Sequence, residues 1–269
     1  MPAGGGLDHR VLGGRWGHLV GGLVVMGALN EHVRHGALTA SPVGAELSGT
    51  GYVILEKMRW RTPPVIVERL AEELRIPHFD LDAAAEDAWA LAPRWYTSEE
   101  DCLDQEWGFG SGYRFTMAPD QAFVQFGPVQ HVWFNPPWGA AGIRKAAQEA
   151  YPDEDLKPFP GTERFVEKAW RESRSGMSVY CLMPQALNTV WQRRWIRRAD
   201  EVRVGPRVRF RDPHGVLGPQ PPGGHLLLIF RPHVPVHGWS GGPRVVWEWD
   251  PFPPGYDAAE PWEVPSWSC

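Results

Sequence analysis

The sequence predicts an α/β fold, a largely parallel sheet held between helices in three layers. Three observations predict it. Between Arg59 and Pro232, short apolar runs alternate with segments of helical periodicity, the pattern of strand–helix–strand units. Some of the runs, such as "MSVYCLMP" and "LLLIF", are continuously apolar, as buried strands are. One run, "HVWFNPPWG", breaks into Asn-Pro-Pro-Trp, a stiff loop at the carboxyl end of a strand, where open α/β sheets place their ligands.

The elements follow in chain order. "TPPVIVERLAEELRI" opens with Thr62 at an N-cap position and Pro63 or Pro64 in the first turn, and Val65, Leu70, Leu74 and Ile76 mark one apolar side. "HFDLDAAA" is a short strand entering a turn, where Asp80 and Asp82 could also cap a following helix. Val132-Trp133-Phe134 is a buried strand, ended because proline lacks an N–H and holds its predecessor extended. "ERFVEKAWRESRSG" is a helix ended by Gly176, with Phe165, Val166, Ala169 and Trp170 inward. "MSVYCLMP" is a strand stopped by Pro184, "NTVWQRRWIRRA" a helix, Leu226 to Phe230 a buried strand, and Val245 to Trp249 a candidate edge strand.

Around this core, residues 1–58 are a Gly-rich extension with few strand or helix signals, and 235–269 a Pro- and Trp-rich acidic arm. The central domain covers 59–234, with insertions near 108–130 and 140–162, the second placed to act as a lid or target-contact loop. Pro (27) and Gly (30) make up about a fifth of 269 residues, so long irregular segments are expected. Fifteen Trp imply stacking surfaces as well as core. A formal charge of -5 argues against a globally basic coat, though not against a local basic face. The three cysteines (Cys102, Cys181, Cys269) are scattered, which points to a reducing, cytoplasmic compartment and no zinc site. Leu19–Leu29 is membrane-like but too short to span, and Asp8 argues against a signal peptide. The spacings His32/His35 and His233/His237 lack further ligands, so no metal is expected.

Asn-Pro-Pro-aromatic after an apolar strand carries the chemistry. The exocyclic amine of a base is a poor nucleophile because its lone pair is delocalised into the ring. Accepting hydrogen bonds from both of its N–H groups localises that pair. Asn135 Oδ1 can take one and the Pro136 carbonyl the other, while Pro137 stiffens the loop and Trp138 offers a face to a flipped base. An amide is no strong base, so the proton leaves after methyl transfer.

Read outward from this motif, the chain resembles the phage-type DNA N6-adenine methyltransferase (Dam) family. "TPP", "FDLDAAA", "PRWYTSEEDCLDQEW", "VWFNPPWG", "FVEKAW", "VYCLMP", "NTVWQRRWI" and "ADEVRVGPRVRF" occur in the family's order over about 59–232. The resemblance implies a Rossmann-like class I methyltransferase fold and S-adenosylmethionine as methyl donor. It places Thr62, Pro63, Asp80, Asp82, Ala83 and Asp101 near that cofactor, Asp101 facing either it or the target amine. "FDLDAAAEDA" stands where wider adenine methyltransferases have a glycine-rich loop, and Trp138 replaces the commoner Tyr or Phe.

DNA requires cations. Eight Arg fall within the nineteen residues Arg193–Arg211, and Arg193, Arg194, Arg197 and Arg198 form i, i+4 pairs on a helix, with Trp191 and Trp195 as another row. The expectation is an enzyme methylating adenine N6 in DNA, with copies of the chain in contact through the terminal arms. The rivals are cytosine N4 methylation, protein-glutamine methylation, and a non-catalytic DNA- or partner-binding protein on a methyltransferase scaffold.

Overall fold

The computed structural model describes residues 45–49, 51–55, 58–85, 89–108, 128–142, 145–212, 214–219, 221–232, 243–252 and 256. The membrane-like segment, both paired-histidine spacings, Cys269, most of the 108–130 insertion and much of the terminal arm lie outside them. Among the described residues no helix is long and apolar enough to cross a membrane.

Eight strands and four helices are described. A two-stranded antiparallel pair, β1 (Ala45–Leu47) and β2 (Val53–Leu55), precedes α1 (Pro64–Leu74). Then come β3 (Leu81–Asp82), β4 (His131–Phe134), α2 (Lys145–Ala150), α3 (Thr162–Ser173), β5 (Ser178–Pro184), α4 (Val190–Ile196), β6 (Glu201–Gly205), β7 (His225–Phe230) and β8 (Arg244–Val246). The main sheet has the order β3-β4-β5-β7-β6-β8. β3, β4 and β5 are parallel, β7 is antiparallel to both β5 and β6, and β8 lies parallel to β6.

The three layers follow from the two-residue period of the strands. Val132, Phe134, Val179, Cys181 and Met183 face Phe165, Val166 and Ala169 of α3 and Trp195 of α4. Their neighbours Trp133, Tyr180, Leu182, Leu227 and Ile229 face Ile66, Val67 and Leu70 of α1 on the other side. Covered on both faces, β5 and β7 have no need of a polar face, which explains their continuous apolar sequences.

Three expectations are corrected. The segment before residue 59 is no bare extension: β1 and β2 pair, and Tyr52, Val53, Ile54 and Leu55 are buried in the same core as α3. Strands of three residues are too short to leave a periodic signal. The stretch 140–162 is anchored where it is described. It contains α2, the Lys157 N–H donates to the Gly51 carbonyl (2.9 Å), Gly142 bridges Phe159, and Leu156 and Phe159 are buried. Gly161, which starts α3 at φ 83°, is required there, since a Cβ would lie 2.9 Å from the Ala141 nitrogen. Last, α1 is capped by Pro63 with Pro64 as its first residue, so Thr62 is released for another task.

Arg203, counted by sequence within the cationic run, is a buried structural group. Its Nε donates to Glu201 (2.8 Å), its Nη1 pairs with Glu73, and its guanidinium lies 5.7 Å from the centre of the Trp249 ring. Arg231 takes the other Glu201 oxygen (2.8 Å). Burial pushes the Glu201 carboxyl up, but the hydrogen bonds of Arg231 and Arg203 outweigh it and hold the group below its usual range. Its contribution to stability is therefore present at neutral pH and lost on acidification through and below the ordinary glutamate range. Arg203→Met should destabilise the fold by roughly 3 kcal/mol, because it leaves Glu201 with half its partners. Urea unfolding at pH 7 measures this, and adding Glu201→Gln should recover part of the loss.

Candidate active site

The parallel strands β3 and β4 pair Asp82 with Trp133, so Asp82 and Asn135, just past the end of β4, both lie at the carboxyl end of the sheet. An open cavity of about 80 Å³ lies there. Its walls include Thr62, Asp82, Ala83, Asp101, Asn135 and Pro137, all singled out from sequence.

Asn135 leaves β4 with its side chain tied to a distant segment. Its Nδ2 donates to Thr62 Oγ1 (3.0 Å) and to the Trp60 carbonyl (3.4 Å). Two acceptors on the nitrogen fix which way the amide points. Oδ1 is buried and has no hydrogen-bond partner among the described residues. An unsatisfied buried acceptor costs about 1–3 kcal/mol, and a ligand N–H would relieve it. The following loop is pinned from α3: the Thr162 hydroxyl contacts the Pro137 carbonyl (3.3 Å) and accepts from the Gly139 N–H (2.8 Å).

Asp82 is fully enclosed and accepts the backbone N–H groups of Leu91 (3.0 Å) and Ala84 (3.3 Å). Burial raises its pKa to about 7, and those two hydrogen bonds only partly offset it. Rather than capping a helix, it closes a loop. Asp101 sits at φ 48°, accepts from the Leu103 N–H (2.9 Å) and takes a hydrogen bond from Tyr52. Burial, then the charge of Asp101, drive the Tyr52 phenol well above its usual range. Burial likewise pushes the Cys102 thiol up, so it is no nucleophile.

Four expected site residues, Pro63, Asp80, Pro136 and Trp138, are not in the cavity wall. Asp80 lies at the amino-terminal start of β3, where its carboxylate accepts from the N–H groups of Gln130 (2.9 Å) and His131 (2.8 Å). It joins β3 to β4 at the end of the sheet away from Asn135. Trp138 is outside the cavity wall; its ring packs edge-on against Phe210 (5.1 Å) and tilted on His225 (5.4 Å), because the α1-side core offers it an apolar seat. Pro63 caps α1 beside Thr62 and is likewise outside the wall.

The sequence pattern of the family described as DNA N-6-adenine-methyltransferase (Dam) matches residues 53–236, well over half of the chain. The chain belongs to this family. A Dam relative, the DNA N-6-adenine-methyltransferase of Escherichia phage T1, is 24% identical over 148 residues, which are 55% of this chain and 44% of that protein. The chain thus spans under half the length of this curated relative. A protein from Listeria monocytogenes described as a class I S-adenosylmethionine-dependent methyltransferase aligns in structure with a TM-score of 0.33 at 13% identity, over 68% of this chain and 53% of that one. That likeness is slight, and the architecture of this Dam-family chain is read from its own sheet.

The start of the Dam match at residue 53 agrees with the packing, since Tyr52, Ile54 and Met58 line the cavity. Sequence reasoning missed these residues, and also Trp60, Arg61 and Trp89, whose Arg61 guanidinium lies 5.2 Å from the Trp89 ring centre. Trp60 and Arg61 carried one signal, adjacency to the Thr-Pro-Pro motif, and the others carried none. Arg193, Arg194, Arg197 and Arg198 are exposed on and just after α4, away from the cavity wall, lining a shallow depression with Val190. Arg194 pairs with Glu163 (3.0 Å), and Arg198 lies 5.2 Å from the centre of the Trp195 ring. Arg209 and Arg211, by contrast, bind the carbonyls of Gly218 and Gly215.

Asp82 makes stability pH-dependent. Its folded pKa of about 7 exceeds the ordinary 3.8, so the folded chain binds this proton more tightly than the unfolded chain. The stabilisation from that proton is complete below the ordinary value and is lost as pH rises through about 7. The melting temperature should therefore fall between pH 5 and 8, as read by circular dichroism, and Asp82→Asn should flatten that slope.

Proposed function

We propose that the chain transfers the methyl group of S-adenosylmethionine to the exocyclic N6 amine of adenine in DNA. The observation that carries this reading is the Asn135 amide, held through its nitrogen by Thr62 and the Trp60 carbonyl, with its oxygen left without a partner among the described residues. A catalytic acceptor must be presented in this way: fixed in advance, and unsatisfied until an N–H arrives.

The cofactor supplies an electrophilic methyl group on a sulfonium. The cavity lining suits such a ligand, with buried carboxyl groups at Asp82 and Asp101, polar Thr97 and Ser98, and aromatic Trp60 and Trp89. Asp82, Ala83, Thr62 and Asp101 would hold it. Asn135 Oδ1 accepts one N–H of the target amine and the Pro136 carbonyl the other, which draws the lone pair out of the ring. Pro137 and Thr162 keep the loop from yielding. Trp138, seated on Phe210 and His225, braces the loop in this reading and leaves the cavity open. The target base reaches the site by leaving the duplex. Arg193, Arg194, Arg197 and Arg198 contact phosphates in a salt-dependent manner. As with a phage-encoded enzyme, the setting is the host-cell cytoplasm. Self-association through the terminal arms is part of the same reading, and light scattering of the full chain tests it.

The test is incubation with methyl-labelled S-adenosylmethionine and unmethylated mixed-sequence DNA, followed by digestion to nucleosides. Label should appear in N6-methyladenine. Asn135→Ala should lose it by at least about a hundredfold, in line with the loss of one positioned transition-state partner, with cofactor affinity unchanged. Thr62→Val, which frees the amide to turn, should lower kcat by roughly tenfold. Label in N4-methylcytosine, or cofactor binding without transfer to any DNA, would overturn the assignment.

A further inference from the structure

Between β6 and β7 the chain folds into a second small hairpin closed by its own hydrogen bonds. The Gly218 N–H donates to the Phe210 carbonyl (2.8 Å), and the Asp212 N–H to the Val216 carbonyl (2.9 Å). Asp212 Oδ1 accepts from the N–H groups of His214 (2.9 Å) and Val216 (2.8 Å). The Arg211 guanidinium closes onto the Gly215 carbonyl (2.8 Å), and the Arg209 guanidinium grips the Gly218 carbonyl with two nitrogens (3.0 and 2.9 Å). Gly215 turns at φ 81°. The turn exposes His214 and one large apolar side chain, Val216, 62% exposed.

A single exposed valine is ordinary. Its mounting is not. The hairpin is bonded to the segment before α1 that holds the candidate catalytic amide: the Arg61 N–H donates to the Arg211 carbonyl (2.7 Å) and the Arg211 N–H to the Arg61 carbonyl (3.3 Å). Trp60 stacks on Phe210 (6.1 Å, 25°). Trp60 and Thr62, either side of Arg61, are the two residues that orient Asn135. Phe210 also receives Trp138. The tip and the target-amine loop are thus fixed to one support. The support is also cationic, with Arg207 exposed and Arg209 and Arg211 half-buried along it, which suits a polyanion more than an apolar protein face.

We propose that Val216 is a wedge that enters duplex DNA beside the target adenine and occupies stacking space that the base gives up on leaving the helix. This rests on the reading that the substrate is adenine in DNA. Unstacking a base costs a few kcal/mol, and an apolar side chain on a stiff mount offsets part of that cost only when there is a stack to invade.

That condition gives the test. The full chain and its Val216→Ala variant are assayed on one oligonucleotide carrying the sequence methylated in mixed-sequence DNA. It is presented as a perfect duplex, as a duplex with an abasic site opposite the target, and as a single strand. On the perfect duplex the variant should lose roughly tenfold in kcat/KM, a modest share of the unstacking cost. On the other two it should match the wild type. With 2-aminopurine at the target position, the wild type should raise the fluorescence of the duplex and the variant should not. Equal rates of both proteins on the perfect duplex would overturn the wedge, as would an equal loss on all three substrates, which marks a merely structural role. Absence of methylation by the wild type on any of the three would instead overturn the functional reading beneath it.

Discussion

The hydrogen bonds from Asn135 Nδ2 to Thr62 and to the Trp60 carbonyl are the constraint around which the site is arranged. They span 73 and 75 residues of sequence, so they exist only because the sheet and α1 bring the two segments together. Pro63 and Pro64 start the helix just past Thr62 and free its hydroxyl. The Arg61–Arg211 bridge fixes the same segment. An amide that could rotate would alternate donor and acceptor; held by its nitrogen, it is an acceptor only.

Polar groups elsewhere in the interior follow another rule. Glu201, Arg203, Glu73 and Arg231 satisfy one another beside β6, where the charges serve the fold. At the cavity the satisfaction is incomplete. Among the described residues Asp82 has backbone donors but no ion-pair partner, and Asn135 Oδ1 has no hydrogen-bond partner. Stability is lower for this, as is usual where a site must keep capacity for a ligand.

Long and strongly patterned elements were legible: α1, α3, β5 and β7 stand where periodicity placed them, and the Asn-Pro-Pro loop stands at the carboxyl end of β4. The antiparallel insertion of β7 between β5 and β6 was not, because an apolar run carries no direction. Asp80 and Asp82 look equivalent in "FDLD", yet two residues along a strand carry the chain some 6–7 Å, enough to put one at each end of a strand as short as β3. Trp138 misled differently. An aromatic after Asn-Pro-Pro suggests a stacking platform, and only the positions of Phe210 and His225, more than seventy residues later, draw its ring away. The arginine run divided in the same manner, since spacing along one strand cannot say which guanidinium will meet a buried acid.

The provenance of the cavity wall has a consequence for biosynthesis. Its residues come from before α1, from the loop after β3, from the end of β4 and from Phe165 in α3, while the β5–β7 pairing that steadies the sheet needs residues up to Phe230. A nascent chain leaving the ribosome has no binding site until α3 has emerged, and no completed sheet to support one until β7 follows. The earliest wall, β2, must wait for partners made more than a hundred residues later. A ligand can therefore reward only the finished domain, and stalled or truncated chains gain no shelter from it.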